Sequence, residues 1–176
     1  MWAVLAAELG APPEKVFTSF DTTPLASASI AQVHAARLPD GEEVVVKIQR
    51  PGIRRRLESD LRILMRIAGI LERSSAKGRM ANPIAVVEDF AVTLSEELNF
   101  VNEARAMEAF DANLRAFGNN DGVRVPSVRW RYTTPLVLTM ERIHGFKIDD
   151  LAQLATQGWD LAGALKRGVR AWMEAA

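Results

Sequence analysis

The segments of this sequence that have strand character fall into two blocks, and a long helical region lies between them. Residues 20–48 and 123–140 carry patterns typical of strands, whereas residues 53–117 carry apolar residues at helical spacing. Strands and helices segregated in this way do not build the alternating units of a parallel sheet. The sequence therefore predicts an α+β fold with a small antiparallel sheet and long helices.

A β-hairpin is the most clearly marked local element of the first block. Residues 30–38 are extended in pattern and rich in small side chains, and residues 43–48 form a β-branched run. Between them, Pro39, Asp40 and Gly41 supply a turn. We therefore expect two antiparallel strands joined at residues 39–41.

Helical patterns and breakers divide the rest of the chain. Pro51 and Gly52 precede a predicted helix over 53–75, and Pro83 suits the first turn of a second helix that we expect to continue to residue 117. Residues 118–122 have the composition of a loop. The other predicted elements are helices over 2–9, 148–156 and 161–175, a helical turn over 14–19, and strands over 123–132 and 136–140.

Charge and cysteine content exclude several classes of function. The chain has 22 Lys and Arg against 22 Asp and Glu, and this zero net charge argues against a main affinity for nucleic acid. It has no cysteine, which excludes disulfides, thiolate zinc sites and cysteine nucleophiles. Its apolar runs are too short to span a bilayer, and its first residues do not resemble a signal peptide. We therefore expect a cytoplasmic protein that binds no nucleic acid.

Residues 25–33 (LASASIAQV) form a run of small side chains before the hairpin. Such a bend lets backbone N–H groups approach a phosphate closely. A crowded turn that simply needs small residues explains the same run, and alanine has less freedom at positive φ than glycine has. On the residues alone, both interpretations stay open.

Lys47 interrupts the β-branched run of the second hairpin strand. Strand alternation places Val44, Val46 and Ile48 on one face and Val45, Lys47 and Gln49 on the other. The lysine either marks a solvent-facing side of the sheet or lies under the small-residue run, where it would meet the phosphates of a nucleotide.

Glu103 lies within an apolar stripe of the second long helix. Phe100, Met107, Phe110 and Leu114 follow the spacing of one helical face that also includes this glutamate. A carboxylate partly buried in that stripe needs a cation, and Lys47 is the natural candidate. A glutamate at the edge of the stripe is the alternative.

Two other polar features are weaker candidates. Arg50 and residues 54–56 form a basic cluster at the start of a helix, where positive charge opposes the helix dipole. The cluster could contact phosphate, lipid headgroups or nucleic acid, although a solvated patch explains it better. His144 is interpreted as a polar loop residue and not as a base.

Taken together, the small-residue loop, the strand lysine and the helical glutamate occur in the order of a protein-kinase N-lobe. The wording of residues 24–34 (PLASASIAQVH) and 44–52 (VVVKIQRPG) closely resembles the UbiB/ADCK family of atypical kinase-like proteins. Residues 97–104 (ELNFVNEA), 125–130 (VPSVRW) and 133–141 (TTPLVLTME) continue the resemblance. It covers almost the whole chain, about residues 12–174.

The resemblance implies a fold and a nucleotide site. Residues 1–143 would be a kinase-like N-lobe with its hinge, and residues 144–176 the helical start of a C-lobe. Residues 25–33 would be the alanine-rich loop over the nucleotide, Lys47 would contact the α- and β-phosphates and pair with Glu103, and residues 140–143 would be the hinge beside adenine. The implied nucleotide-binding residues are Ala26, Ser27, Ala28, Ser29, Val33, Val45, Lys47, Glu103, Met140, Glu141 and Ile143.

The resemblance also implies cofactors and partners. Family members bind ATP with Mg²⁺ and are linked to isoprenoid-quinone (ubiquinone) biosynthesis and membrane lipids, with an activity closer to ATP hydrolysis or restricted kinase activity than to general protein phosphorylation. The implied partners are a nucleotide, a membrane surface or lipid that would hold the protein peripherally, and a C-lobe or partner protein. A non-enzymatic module whose long helices dock a partner or a membrane surface remains the alternative function.

The chain departs from the family pattern at several positions. Asn99 stands where the family usually has aspartate in Glu-x-Asp, Val45 where it usually has alanine, and Ser27 where alanine is common. The upstream Lys-x-Gly-Gln segment, the catalytic Asp and Asn, and the metal-binding Asp-Phe-Gly do not occur in these residues. We therefore expect a truncated N-lobe portion that orients a nucleotide without turning it over, with Mg²⁺ ligands mostly in the missing C-lobe.

Overall fold

A computed structural model describes residues 1–74, 76–118, 120, 122–145, 158 and 160–175. Its small antiparallel sheet and long helices confirm the α+β class. In chain order the elements are α1 (Trp2–Leu9), α2 (Pro13–Val16), β1 (Ser19–Phe20), β2 (Ala26–Ser27), β3 (Ala31–Arg37), β4 (Glu43–Gln49), α3 (Ile53–Ser74), α4 (Ala76–Ala81), α5 (Pro83–Glu97), α6 (Phe100–Phe117), a 3-10 turn (Trp130–Tyr132), β5 (Val137–Glu141) and α7 (Leu161–Ala175).

The predicted hairpin forms the centre of the sheet. β3 and β4 pair antiparallel along their whole length, from Ala31 opposite Gln49 to Arg37 opposite Glu43. β5 pairs with the other edge of β4, while β1 and β2 pair with different ends of β3. Gly41 has φ 91°, which suits the tight turn predicted at residues 39–41.

The two faces of the sheet pack against different helices. One face carries Val44, Val46 and Ile48, all fully buried against Leu5 of α1 and Phe17 after α2. The other face carries Ala31 and Leu138, which pack on α6. The predicted alternation of β4 is thereby confirmed, and it leaves Lys47 on the face that α6 contacts only in part.

The predicted single helix over 83–117 is wrong, because the chain breaks at Leu98 and Asn99 into α5 and α6. The side chain of Gln49 donates a hydrogen bond to the Leu98 carbonyl at 3.0 Å, and the Phe100 N–H donates to the Pro135 carbonyl at 3.0 Å. Asn99 then caps α6, since its side-chain oxygen accepts from the Val101 N–H at 3.1 Å. Contacts with the sheet and its loops therefore satisfy backbone groups that a continuous helix would have paired internally.

Replacing Gln49 with leucine is expected to destabilise the protein by about 1–3 kcal/mol, because the change removes the buried donor to the Leu98 carbonyl. The measurement is urea unfolding of the two proteins. The matched control is Gln32→Leu, at a partly exposed glutamine whose side-chain bond to Ser27 is long, at 3.5 Å. Equal losses in the free energy of unfolding of the two variants would contradict a role for Gln49 in stabilising the break between α5 and α6.

The predicted strand over 123–132 is also wrong. Only Val128 makes an isolated bridge, to Met140, and the residues that follow turn into the 3-10 segment. Pro126 lacks the N–H group that a continuous ladder would need, so pairing is confined to the residues after it. The second strand is confirmed as β5, one residue away from its predicted bounds.

The helices outside the sheet are partly as predicted. α3 and α7 confirm the expected helices over 53–75 and 161–175, whereas the short α4 falls in residues 76–81, which the sequence did not predict to be helical. The predicted helix over 148–156 lies outside the described residues, and the boundary expected at residues 143 and 144 stays a prediction. None of the helices in the described ranges is long and apolar enough to cross a membrane.

Candidate nucleotide-binding site

Lys47 and Glu103 form the pair expected from the sequence. The Lys47 Nζ donates to both carboxylate oxygens of Glu103, at 2.6 and 2.8 Å, across 56 residues of chain. The side chains keep 22% and 37% of their exposure, so the pair is screened from water on one side and open on the other. This geometry confirms that β4 and α6 present a partly buried lysine–glutamate pair.

Packing beside the pair fixes the lysine over an aromatic ring. Lys47 Nζ lies 4.7 Å from the centre of the Phe100 ring, within the range of a cation–π contact. Phe100 is fully buried with Ala31, Ala104 and Leu138. The first turn of α6 therefore supplies both the carboxylate that pairs with Lys47 and the apolar support beneath it.

Several predicted residues lie on the same face as Lys47. The pairing register aligns Ala26 with Val33, and Val33 with Lys47, across β2, β3 and β4. A second row aligns Val45 with Met140. Directly opposite residues in antiparallel strands share a face, so these five side chains line one side of the sheet. Val33, Val45 and Met140 are only partly buried, which leaves this side accessible next to the lysine.

The predicted small-residue loop is the turn between β2 and β3. The Ala28 N–H donates to the Ala31 carbonyl at 2.9 Å and closes the turn. Arg50 reaches it from the end of β4: its Nε donates to the Ala28 carbonyl at 2.9 Å and its Nη2 to the Ser27 hydroxyl at 2.7 Å. Ala28 and Ser29 are exposed at the tip of the turn. They lie just before β3, whose Val33 lies opposite Lys47.

Not all predicted residues direct their side chains to this face. Ser27 aligns with Gln32, so its side chain lies on the opposite face, where it meets Arg50. Ile143 follows β5 and is exposed. If Ser27 and Ile143 contact a nucleotide, they would do so through their backbone atoms, because neither side chain belongs to the row of paired residues that contains Lys47.

Glu141 also turns away from the lysine, since it aligns with Val44. It pairs with Arg124 and accepts hydrogen bonds from the N–H and hydroxyl of Ser127. Burial opposes ionisation of Glu141, but the hydrogen bonds from Ser127 and the charge of Arg124 outweigh it and lower the pKa of this carboxyl. Its side chain thus ties the predicted hinge strand to the segment before it.

A cleft of about 390 Å³ opens beside the ion pair. Its wall combines Lys47 with three glutamates and two amides: Glu96, Glu97, Glu103, Asn99 and Asn102. Asn99 caps α6 through its side-chain oxygen, a role that an aspartate at this position would also fill. In the described ranges, no three or more His, Asp or Glu side chains are placed to hold a metal ion.

Two residues that organise the site, Gln49 and Arg50, were not predicted from the sequence to do so. Gln49 is the last residue of β4 and Arg50 directly follows it, and each donates to a backbone carbonyl elsewhere in the chain, that of Leu98 and that of Ala28. No local pattern marked Gln49, because strand alternation places it on the Lys47 face and its burial comes from the packing of the Leu98 region on the end of β4. Arg50 was interpreted as part of a solvated basic cluster, and its contacts with Ala28 and Ser27 correct that interpretation for this one arginine.

The sequence of this chain is similar to a known protein family and to several known proteins. The sequence model of the ABC1 atypical kinase-like domain matches residues 1–176. An uncharacterized protein of Mycobacterium tuberculosis, Rv0647c, is 53% identical over 87% of this chain and 31% of its own length. The protein named "Probable protein kinase UbiB" in Pseudomonas entomophila is 44% identical over 95% of this chain and 30% of its own length. The chain therefore spans about a third of the curated relatives that it matches.

A solved structure has the same fold. The structure of Rv3197 from Mycobacterium tuberculosis, determined as a complex with erythromycin, superposes with a TM-score of 0.65 at 36% sequence identity. The match covers 86% of this chain and 37% of that one.

Proposed function

Because this chain belongs to the ABC1 atypical kinase-like family, and because it resembles proteins named UbiB, we propose that it is the ATP-binding portion of a UbiB-like kinase-like protein. The nucleotide would lie on the open side of the sheet, with adenine near Val45 and Met140 and the phosphates near Lys47 and the turn at residues 27–31. In this proposal the residues hold and orient the nucleotide.

The observation that carries this proposal is the position of the Lys47–Glu103 pair on an accessible sheet face. A lysine paired with a carboxylate on a packed helix is held in one orientation, and its remaining donor capacity can meet an anion. Ala28 and Ser29 are exposed at the tip of the small-residue turn, so a phosphate could approach the backbone there without obstruction from large side chains. The Lys47 ammonium group, the small-residue turn and the apolar side chains of Val45 and Met140 together would suit a nucleoside triphosphate.

In this proposal these residues bind ATP, and the ligands of its Mg²⁺ belong mostly to a protein of the full length of the relatives. Phosphoryl transfer needs carboxylates that hold the metal and position the acceptor. Within residues 1–74, 76–118, 120, 122–145, 158 and 160–175, no group of three or more His, Asp or Glu side chains is placed to hold a metal ion. Turnover, and with it the link to isoprenoid-quinone or lipid metabolism, would belong to a protein of the full length of the relatives.

Binding can be tested by thermal unfolding of the protein with increasing Mg-ATP. A ligand that binds only the folded state at about a hundred times its Kd should raise the Tm by roughly 5 °C or more. AMP, which lacks the β- and γ-phosphates of ATP, should raise the Tm less. A Tm that does not change at millimolar Mg-ATP would contradict the proposed function.

A docking role is the second candidate, and the exposed face of α7 favours it. Val169, Trp172 and Met173 keep 57%, 65% and 73% of their exposure, and such patches often mark interaction surfaces. The partner in this candidate would be a second lobe or another protein. If Mg-ATP alone does not change the Tm of this chain but raises it once the partner is added, docking is favoured as the function of these residues.

A further inference from the structure

We propose that Arg50 is a positioning residue that holds the small-residue turn in the conformation needed for phosphate binding. The inference rests on the proposed function and deepens it. Its starting point is that one guanidinium group makes two contacts to the same turn, at 2.9 Å to the Ala28 carbonyl and at 2.7 Å to the Ser27 hydroxyl. The Arg50 N–H adds a third link, to the Ile30 carbonyl at 2.8 Å.

These contacts join the turn to the strand that bears Lys47. Arg50 directly follows β4, three residues after the lysine, so its hydrogen bonds link the turn to the end of the strand that bears Lys47. A glycine-rich turn would gain its freedom of movement from its backbone, whereas this turn contains no glycine and is held from outside by a side chain. The result is a turn formed before the nucleotide arrives, which lowers the entropic cost of binding.

The register argues against direct contact between Arg50 and the phosphates. Gln49 lies on the Lys47 face, so alternation places Arg50 on the other face together with Ser27 and Gln32. Two of its nitrogen atoms already donate to protein oxygens. Arg50 therefore acts on the nucleotide through the backbone of the turn.

The first test measures the turn without any nucleotide. In Arg50→Ala, amide hydrogen exchange at Ala28 and its neighbours should become at least about tenfold faster, since two charge-assisted contacts that oppose opening are lost. Arg55→Ala is the matched control, because it removes the same charge from an exposed arginine on α3. Unchanged exchange in Arg50→Ala would overturn the proposal.

The second test compares the Kd values of Mg-ATP and adenosine by calorimetry. Arg50→Ala should weaken Mg-ATP binding by about tenfold and leave adenosine binding within about twofold, because only the phosphates meet the turn. Arg50→Lys should recover part of the loss, as it keeps one donor for the Ala28 carbonyl. Equal weakening of both ligands would indicate general damage to the sheet and overturn the proposal.

Ser27 separates positioning from direct binding. Ser27→Ala should weaken Mg-ATP by about threefold, and in the Arg50→Ala background it should add nothing, since the contact is already lost. Full additivity of the two changes would mean that the residues act separately on the ligand and would overturn the proposal. A wild-type protein that binds no ATP would instead reject the proposed function, while hydrogen exchange would still decide whether Arg50 holds the turn.

Discussion

Replacing Lys47 with methionine is expected to weaken Mg-ATP binding by about tenfold to a hundredfold. A charged donor to phosphate contributes roughly 1.5–3 kcal/mol, and its loss also leaves the Glu103 carboxylate unpaired beside the phosphate position. Methionine keeps most of the apolar length of the side chain over Phe100, so the change is directed at the charge. Calorimetric titration gives the Kd, and the Tm without ligand shows whether the variant folds.

Arg55→Met is the control for the loss of one positive charge, since Arg55 is exposed on α3. It should bind Mg-ATP like the wild type. Lys47→Met combined with Glu103→Gln should recover part of the affinity, because the second change removes the carboxylate that repels phosphate. Wild-type affinity in Lys47→Met would show that the bound nucleotide lies away from this pair.

Replacing Phe100 with alanine is expected to destabilise the protein by about 3–5 kcal/mol, the largest effect on stability that we predict. The ring is fully buried between α6 and the sheet, where it contacts Ala31, Ala104 and Leu138. Its small neighbours Ala31 and Ala104 cannot fill the cavity that would remain. Urea unfolding monitored by circular dichroism measures the change in the free energy of unfolding.

Phe117→Ala on the same helix is the matched control. Its ring is 62% exposed, so the same substitution should change the free energy of unfolding by no more than about 0.5 kcal/mol. Similar losses at the two positions would mean that α6 does not pack on the sheet through its first turn. That result would also remove the basis for the Lys47–Glu103 geometry.

Strand alternation and helical spacing, which involve only residues close together in the sequence, predicted much of the candidate site. The β-branched run in β4 determined which face Lys47 occupies, because side chains alternate along any strand. The stripe on α6 likewise indicated a partly buried Glu103 that needs a cation. In both cases the relevant information lies within a few residues of the side chain concerned.

The break between α5 and α6 could not be predicted in this way. Helical spacing continues through Leu98 and Asn99, and the interruption depends on Gln49, which is 49 residues away, and on Pro135. The lost strand at residues 123–132 has a comparable origin, since only part of that segment finds a partner in β5. A buried backbone N–H or C=O group forms a hydrogen bond with any suitable partner that the folded chain places beside it. The periodicity of apolar residues does not indicate which distant partner that is.

By itself, the sequence determined the fold class, the hairpin and the two side chains that form the ion pair, because alternation and helical spacing are local properties of the chain. The tertiary structure alone decided where α6 begins and that Arg50 contacts the turn at residues 27–31. It also decided that Ser27 and Glu141 turn away from Lys47. These features depend on strand register and on hydrogen bonds between distant residues, which form only once the sheet has assembled.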